Sequence, residues 1–315
     1  MRNNTAKPIP CNGAGSPTRR WAVRICALLL AFQALPALAL GPTDADGMPH
    51  VGQRARDNFI EYLYADDFKA FSISPGGGWA WVAGKNSADE ARQAAVGNCE
   101  SYSQLPCVLY AKNDELVFDR SGWKELWGPY SSAEQAENAK PGTRRGDRFP
   151  DLVFRNRQGQ VETLSNYRGR ITLVHFWGSW CPPCMRELPS LRRFYLDLRE
   201  KLPDSVAVVI LQVREPFEVS DQWVVDNDLE GLPLYDSGST GIDDDRLRVA
   251  GGGTIRDREI ANSFPSSYVL DSNGVVLFSH YGPIARWREY LPFFEDAAAR
   301  MHGGLAAGGR GAPGK

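Results

Sequence analysis

The chain lacks a charge excess of either sign: 36 Lys and Arg stand against 38 Asp and Glu in 315 residues, a formal net charge of −2. That balance leaves no basic footprint for nucleic acid. The chain also lacks an unbroken apolar run of the roughly 20 residues that cross a bilayer, because Arg24, Gln33 and Pro36 interrupt its amino-terminal apolar stretch. No internal repeat is evident. The Gly251-Gly252-Gly253 run lacks the lysine and the strand-to-helix frame of a phosphate loop. Asp243-Asp244-Asp245 lacks the ligand spacing of a calcium loop and reads as a solvated turn. Cysteine is scarce as well, six in all.

What is present begins with an address. Arg19, Arg20 and Arg24, an apolar run from Ile25 to about Leu35 and the small residues Ala37-Leu38-Ala39 have the layout of an export signal with an A-x-A cleavage site. The expectation is a signal peptide over 1–39. The alternative is an uncleaved anchor, the one route to membrane contact. The TRRWAV start is similar to a twin-arginine signal, although plain Sec export is the simpler reading. Cys11 and Cys26 fall inside this segment, leaving Cys99, Cys107, Cys181 and Cys184 as two close pairs. In an exported chain a close pair is a disulfide or a dithiol that exchanges with one.

Residues 52–130 read as a small α+β domain. Phe59, Ile60, Leu63 and Tyr64 have helical spacing, KAFSIS and GWAWVAG alternate across Pro75-Gly76-Gly77-Gly78, and Ser87 with Glu90 forms a capping box before an Ala-rich helix. PCVLYA and ELVF make a second hairpin. A Cys99–Cys107 bond would tie the helix to the strand after it, a structural disulfide, with a second redox pair as the alternative. Residues 131–146 are polar, with proline and glycine and no apolar period, and read as a linker. The tail over 302–315 is rich in Gly and Ala and is expected to be disordered.

Residues 147–301 trace a second, α/β domain. DLVF and VETL form a hairpin. ITLVHFW and VAVVILQV are continuous apolar runs suited to strands buried on both faces. Leu188, Leu191, Tyr195, Leu198 and Leu202 between them mark one stripe of a helix, so the order is a βαβ crossover. SSYVL and VVLFSH flank Asp271-Ser272-Asn273-Gly274, a hairpin turn, and a last helix is expected from about Ala285. QWVVDNDLEGLPLY fits a helix and a short strand. The remainder up to Asp257 is expected to be a loop near the site.

The strand-to-helix junction carries WGSWCPPCMREL. Cys181 opens the helix, where free amides and the dipole favour a thiolate. Thiols so placed ionise at ~3.5 to 7.5, against ~8.5 for free cysteine. Cys181 is then the nucleophile and Cys184, a turn further in, resolves the mixed disulfide. Half of a zinc site is the competing reading. Zinc needs four ligands, and Cys99 and Cys107 have the wrong spacing, leaving His175, His280 and His302 as other donors.

Together with Phe149-Pro150-Asp151, Leu164 to Gly169, Phe176-Trp177, Glu187-Leu188-Pro189 and Phe264-Pro265-Ser266-Ser267-Tyr268, the WCPPC motif makes residues 147–300 resemble the TlpA/ResA-type periplasmic thiol-disulfide oxidoreductases. The resemblance implies a thioredoxin-like fold with a four- or five-stranded sheet and no cofactor. It implies a cis Pro265 facing the cysteines, with Phe264 pairing substrate backbone. Glu187 matches an acidic residue of the family near the thiols, with a solvated surface carboxylate as the alternative. His175 stands where thioredoxins have a buried aspartate: it either takes protons from Cys184 or is a hydrogen-bonded core histidine. Trp180 flanks the site or simply packs. The amino-terminal unit resembles small exported domains of unassigned function. Its Trp79, Trp81, Trp123 and Trp127 are either core or a partner surface.

The resulting expectation is an exported enzyme acting on protein thiols and disulfides. Pro182 and Pro183 cannot donate to the Cys181 thiolate, which leaves the reduced form less stabilised than in a strong oxidant and points to a reductase fed by a membrane electron donor. The alternative is a copper- or client-binding module, since soft thiolates suit Cu(I).

Overall fold

The computed structural model describes residues 40–302 apart from 104 and 129. The expected export signal, with Cys11 and Cys26, and the tail after His302 lie outside the described residues. No described helix is long and apolar enough to cross a membrane.

The chain begins with helices α1 (Asp44–Gly47) and α2 (Gln53–Leu63), then β1 (Ala70–Ile73), β2 (Trp79–Val82), α3 (Ala88–Glu100), β3 (Val108–Lys112) and β4 (Glu115–Leu116). The strands form an antiparallel sheet in the order β2-β1-β3-β4. Alternation divides β1 between two partners. Ala70 meets Ala91 and Ala95 of α3, small residues that let helix and strand approach closely, and Ser72 Oγ donates to Ala95 O at 2.7 Å. Phe71 faces the other way, edge-on to Phe59 of α2 at 5.3 Å. Ser87 caps α3 by accepting from Glu90 N, but the expected reciprocal bond is redirected: Glu90 Oε2 accepts from Asn86 N instead of Ser87 N.

Cys99 and Cys107 are bonded, joining the end of α3 to the start of β3. A bridge closing so short a loop limits the unfolded chain modestly, by about 2 to 3 kcal/mol. A Cys99→Ser, Cys107→Ser chain is expected to unfold at correspondingly lower urea while keeping its far-ultraviolet dichroism; an unchanged midpoint would mean the bond adds no stability.

The stretch expected to be a plain linker contains helix α4 (Ala133–Glu137), with a full capping box between Ser132 and Gln135. The short period of one and a half turns hid it in a polar sequence. Beyond it come β5 (Leu152–Arg155), β6 (Val161–Thr163), β7 (Ile171–Trp177), α5 (Pro182–Lys201), β8 (Val206–Gln212), α6 (Phe217–Asp226), β9 (Leu234–Asp236), β10 (Arg246–Val249), β11 (Thr254–Arg256), α7 (Asp257–Ile260), β12 (Ser266–Leu270), β13 (Val276–Tyr281) and α8 (Leu291–His302). The sheet order is β11-β10-β5-β9-β8-β7-β12-β13, with β6 on β5. β7, β8 and β9 run parallel, and β12 and β13 are antiparallel beside them. This is a thioredoxin-like α/β fold, but its sheet has nine strands rather than four or five. The expected loop before Asp257 is in part the hairpin β10–β11, which extends the sheet through β5.

Every residue of β7 and β8 is buried. Ile171, Leu173 and Trp177 face α5, while Val174 and Phe176 face Phe149, Leu164 and Tyr167. The first cluster does not stop at this sheet. It continues through Tyr290 and Phe293 into Trp127, Trp123, Phe59 and Phe71, so both halves of the sequence contribute to one core. Trp123 and Trp127 are buried there, and Trp79 stacks on Phe71; the four tryptophans form no exposed surface together.

Candidate functional site

The site starts where β7 ends. A Cβ at Gly178 would overlap the Trp180 indole nitrogen, so glycine here lets the indole lie against the turn. Trp180 Nε1 donates to Val213 O at 2.9 Å. Glu215 holds the turn from the α6 side, accepting from Ser179 N at 2.6 Å and from the hydroxyls of Ser179 and Ser220 at 2.5 Å each.

Cys181 is the N-cap of α5, and Pro182 and Pro183 fill the first two helical positions, where missing amide hydrogens cost nothing. The amide left to meet sulfur is that of Cys184, 3.3 Å from Cys181 Sγ. Cys181 and Cys184 are bonded to each other. Cys181 retains 4% exposure and Cys184 none, so the first sulfur is the one nearer solvent.

Glu187 lies one turn beyond Cys184 and is 4% exposed, which removes the surface-carboxylate alternative. The reason is helical phase: Glu187, Leu191, Phe194 and Leu198 follow one another at spacings of four, three and four, and all are buried. Its Oε1 accepts from Trp287 Nε1 at 2.7 Å and Ile284 N at 2.9 Å. Burial pushes its carboxyl up to about 8 against the pull of these two bonds.

His175 lies in mid-β7 opposite Ser267 of β12. Its Nδ1 is 2.9 Å from Ser267 Oγ, and its ring meets Trp287 edge-on. Full burial, with His280 nearby, pushes it down to about 3. The Nδ1 contact with Ser267 fits the hydrogen-bonded core reading, while Nε2 is buried without a partner among the described residues.

Phe264–Pro265 is a cis peptide bond. Ser266 pairs with Phe176 on β7, so Pro265 sits one position beyond, level with the end of that strand. Phe264 packs edge-to-face on Trp180 at 5.4 Å, bringing the Pro265 segment to the cysteine turn. Arg258 lies over the other part of the Phe264 ring at 4.6 Å, and Arg214, held by Asp257 at 2.6 and 2.7 Å, at 5.9 Å. Arg214, Glu215, Arg258 and Trp287 were not legible as site residues. The only local signal was the RDRE run, 256–259, at the end of the long insertion.

The arrangement juxtaposes a sulfur pair, a helix terminus and a cis-proline segment, and it can pass two electrons by thiol–disulfide exchange. Among the described residues no group of three or more His, Cys, Asp or Glu is placed to hold a metal; Cys99 and Cys107 are already bonded to each other.

Residues 144–289 match the family model described as Redoxin. The chain is 26% identical over 172 residues to the thioredoxin-like protein YneN of Bacillus subtilis, covering 54% of this chain and 87% of that protein. Against the thiol-disulfide oxidoreductase ResA of Geobacillus kaustophilus it is 35% identical over 71 residues, spanning 22% of this chain and 39% of the relative. Against ResA of Bacillus thuringiensis it is 25% identical over 132 residues, 42% of this chain and 66% of the relative. Among solved structures, a putative thiol:disulfide interchange protein DsbE from Chlorobium tepidum aligns with a TM-score of 0.38 and 24% identity, over 50% of this chain and 99% of that one.

Proposed function

Because residues 144–289 match the Redoxin family model and resemble thiol-disulfide oxidoreductases in sequence, we propose that the chain exchanges disulfides with protein thiols through Cys181 and Cys184, as a reductase outside the cytosol. The carrying observation is the Cys181–Cys184 pair at the start of α5, with the cis Phe264–Pro265 segment packed on Trp180 beside it.

In the reducing direction the Cys181 thiolate attacks a substrate disulfide. One substrate sulfur leaves as a thiolate, and the other is held to Cys181. Cys184 then loses its proton and attacks Cys181 Sγ, forming the Cys181–Cys184 bond and releasing the second substrate thiol. Two electrons have passed from the protein to the substrate. Glu187, with a carboxyl that titrates near neutrality, is suited to exchange protons with the Cys184 end of the pair. Phe264 and Pro265 dock the substrate backbone, and Trp180 shields the reacting sulfurs.

Direction follows from what stabilises the thiolate. Pro182 and Pro183 bring no amide hydrogen, so Cys184 N is the amide recorded against Cys181 Sγ. Weak stabilisation of the reduced form favours giving electrons away, and regeneration then requires a reductant, here a membrane electron donor. The Cys99–Cys107 bond supports an oxidising compartment, in line with the A-x-A signal layout.

A Cys184→Ala chain is expected to accumulate mixed disulfides through Cys181, seen as reductant-sensitive adducts on non-reducing gels of cell envelopes. If its free Cys181 alkylates readily but no adduct forms, the exchange reading fails and the metal- or client-binding reading takes its place.

A further inference from the structure

A cavity of about 500 Å³ lies away from the cysteines, between the amino-terminal unit and α8. That is within the ~300 to 1,000 Å³ typical of small-molecule sites. Its walls are aromatic: Phe118, Trp123, Trp127 and His50, with His50 stacked on Tyr290 at 4.1 Å. Burial pushes His50, stacked also on Trp127 at 5.7 Å, down to about 4, so near neutral pH it adds no charge to the lining.

Three carboxylates also line the cavity, but each is already engaged. Asp46 pairs with Arg286 at 3.1 Å. Glu289 pairs with Arg286 and Arg56 at 3.3 and 3.5 Å and accepts from His50 N. Asp296 accepts from Trp127 Nε1 at 3.0 Å and pairs with Arg300 at 2.8 Å. The cationic lining is not so engaged. Lys124 has no partner among the described residues, Arg120 gives one nitrogen to Gly47 O and lies over the Phe118 ring with no ion pair among the described residues, and the buried Trp123 Nε1 has no partner there either.

We propose that this cavity binds a planar, largely apolar small molecule bearing an anionic group: its apolar part lies against Phe118, Trp123 and Trp127, and the anion meets Lys124 and Arg120. The inference is independent of the redox reading, since it uses none of the residues assigned to exchange. It gives the amino-terminal unit a role that needs both halves of the chain, because the lining comes from 46–50, 118–127 and 289–296.

The test uses the full oxidised chain and two fluorescent probes that differ by one group. These are 8-anilinonaphthalene-1-sulfonate and N-phenyl-1-naphthylamine, which has the same rings without the sulfonate. The expected result is saturable one-to-one binding of the sulfonate, roughly tenfold or more tighter than the neutral probe, as one charge-assisted hydrogen bond warrants. Lys124 is exposed, so Lys124→Glu should fold normally, lose that preference and leave the neutral probe unchanged. Trp123→Phe shortens one apolar wall and should weaken both probes. Equal affinity for the two probes, a Lys124→Glu chain that still prefers the sulfonate, or tighter binding of a naphthyl trimethylammonium probe would each overturn the proposal. So would multiple weak sulfonate sites that grow with urea, which mark loosened structure rather than a cavity.

Discussion

A Cys181→Ser chain is expected to reduce insulin disulfides at least about a thousandfold more slowly than the parent, the scale seen when an enzyme loses its nucleophile. Serine preserves the shape of the N-cap and accepts from Cys184 N as sulfur does, so the fold should be intact. What disappears is an atom that ionises near neutral pH at the helix terminus. In the dithiol state of the parent, iodoacetamide should modify Cys181 well before Cys184, because Cys181 has the remaining exposure of the pair. A parent whose Cys181 resists alkylation, or a serine variant that keeps full activity, would remove the basis of the proposed exchange.

The second large effect concerns pH. The unfolded chain ionises a glutamate near 4.5, whereas folded Glu187 keeps its proton to about 8. Between those values the folded state holds a proton that the unfolded state has released, so stability falls as pH rises. One group contributes about 1.4 kcal/mol per pH unit, or roughly 2 kcal/mol between pH 6.5 and 8. The buried histidines act in the opposite sense. His175 is pushed down to about 3 and His50 to about 4, and His280 is lowered as well, all by burial. Below 6.5 the unfolded chain takes up protons that the folded chain refuses, so stability is also lost on acidification. Urea midpoints of the oxidised protein should therefore peak near pH 6.5. Glu187→Gln keeps an acceptor for Trp287 and Ile284 and should flatten the alkaline limb while steepening the acid limb above about 4.5; a variant with an unchanged alkaline limb would show that Glu187 ionises normally.

The redox half was legible because its signals are local. The WCPPC run marks a strand-to-helix junction, the stripe from Leu188 to Leu198 fixes the buried face of α5, and the DSNG turn sets the β12–β13 hairpin. The cis bond before Pro265 came from family resemblance, since a proline at a strand start is ordinarily trans. Other features depend on distant partners. Glu187 carries a surface residue's chemistry, and the two groups that satisfy it, Ile284 and Trp287, lie about a hundred positions away. β10 was read as loop because it is only four residues long, a glycine run separates it from β11, and its partner β5 lies far upstream. Glu215 looked like an ordinary loop carboxylate, and only the fold brings it beneath Ser179.

The contact of Trp127 with Phe293, the stacking of His50 on Tyr290 and the hydrogen bond that Gly76 O accepts from the His280 ring tie the two halves into one packed unit. Cutting the chain near residue 131 would leave one fragment with a bare aromatic face and the other with none of the partners its tryptophans need. Such a pair cannot be separated like beads on a string, because each half covers apolar surface of the other.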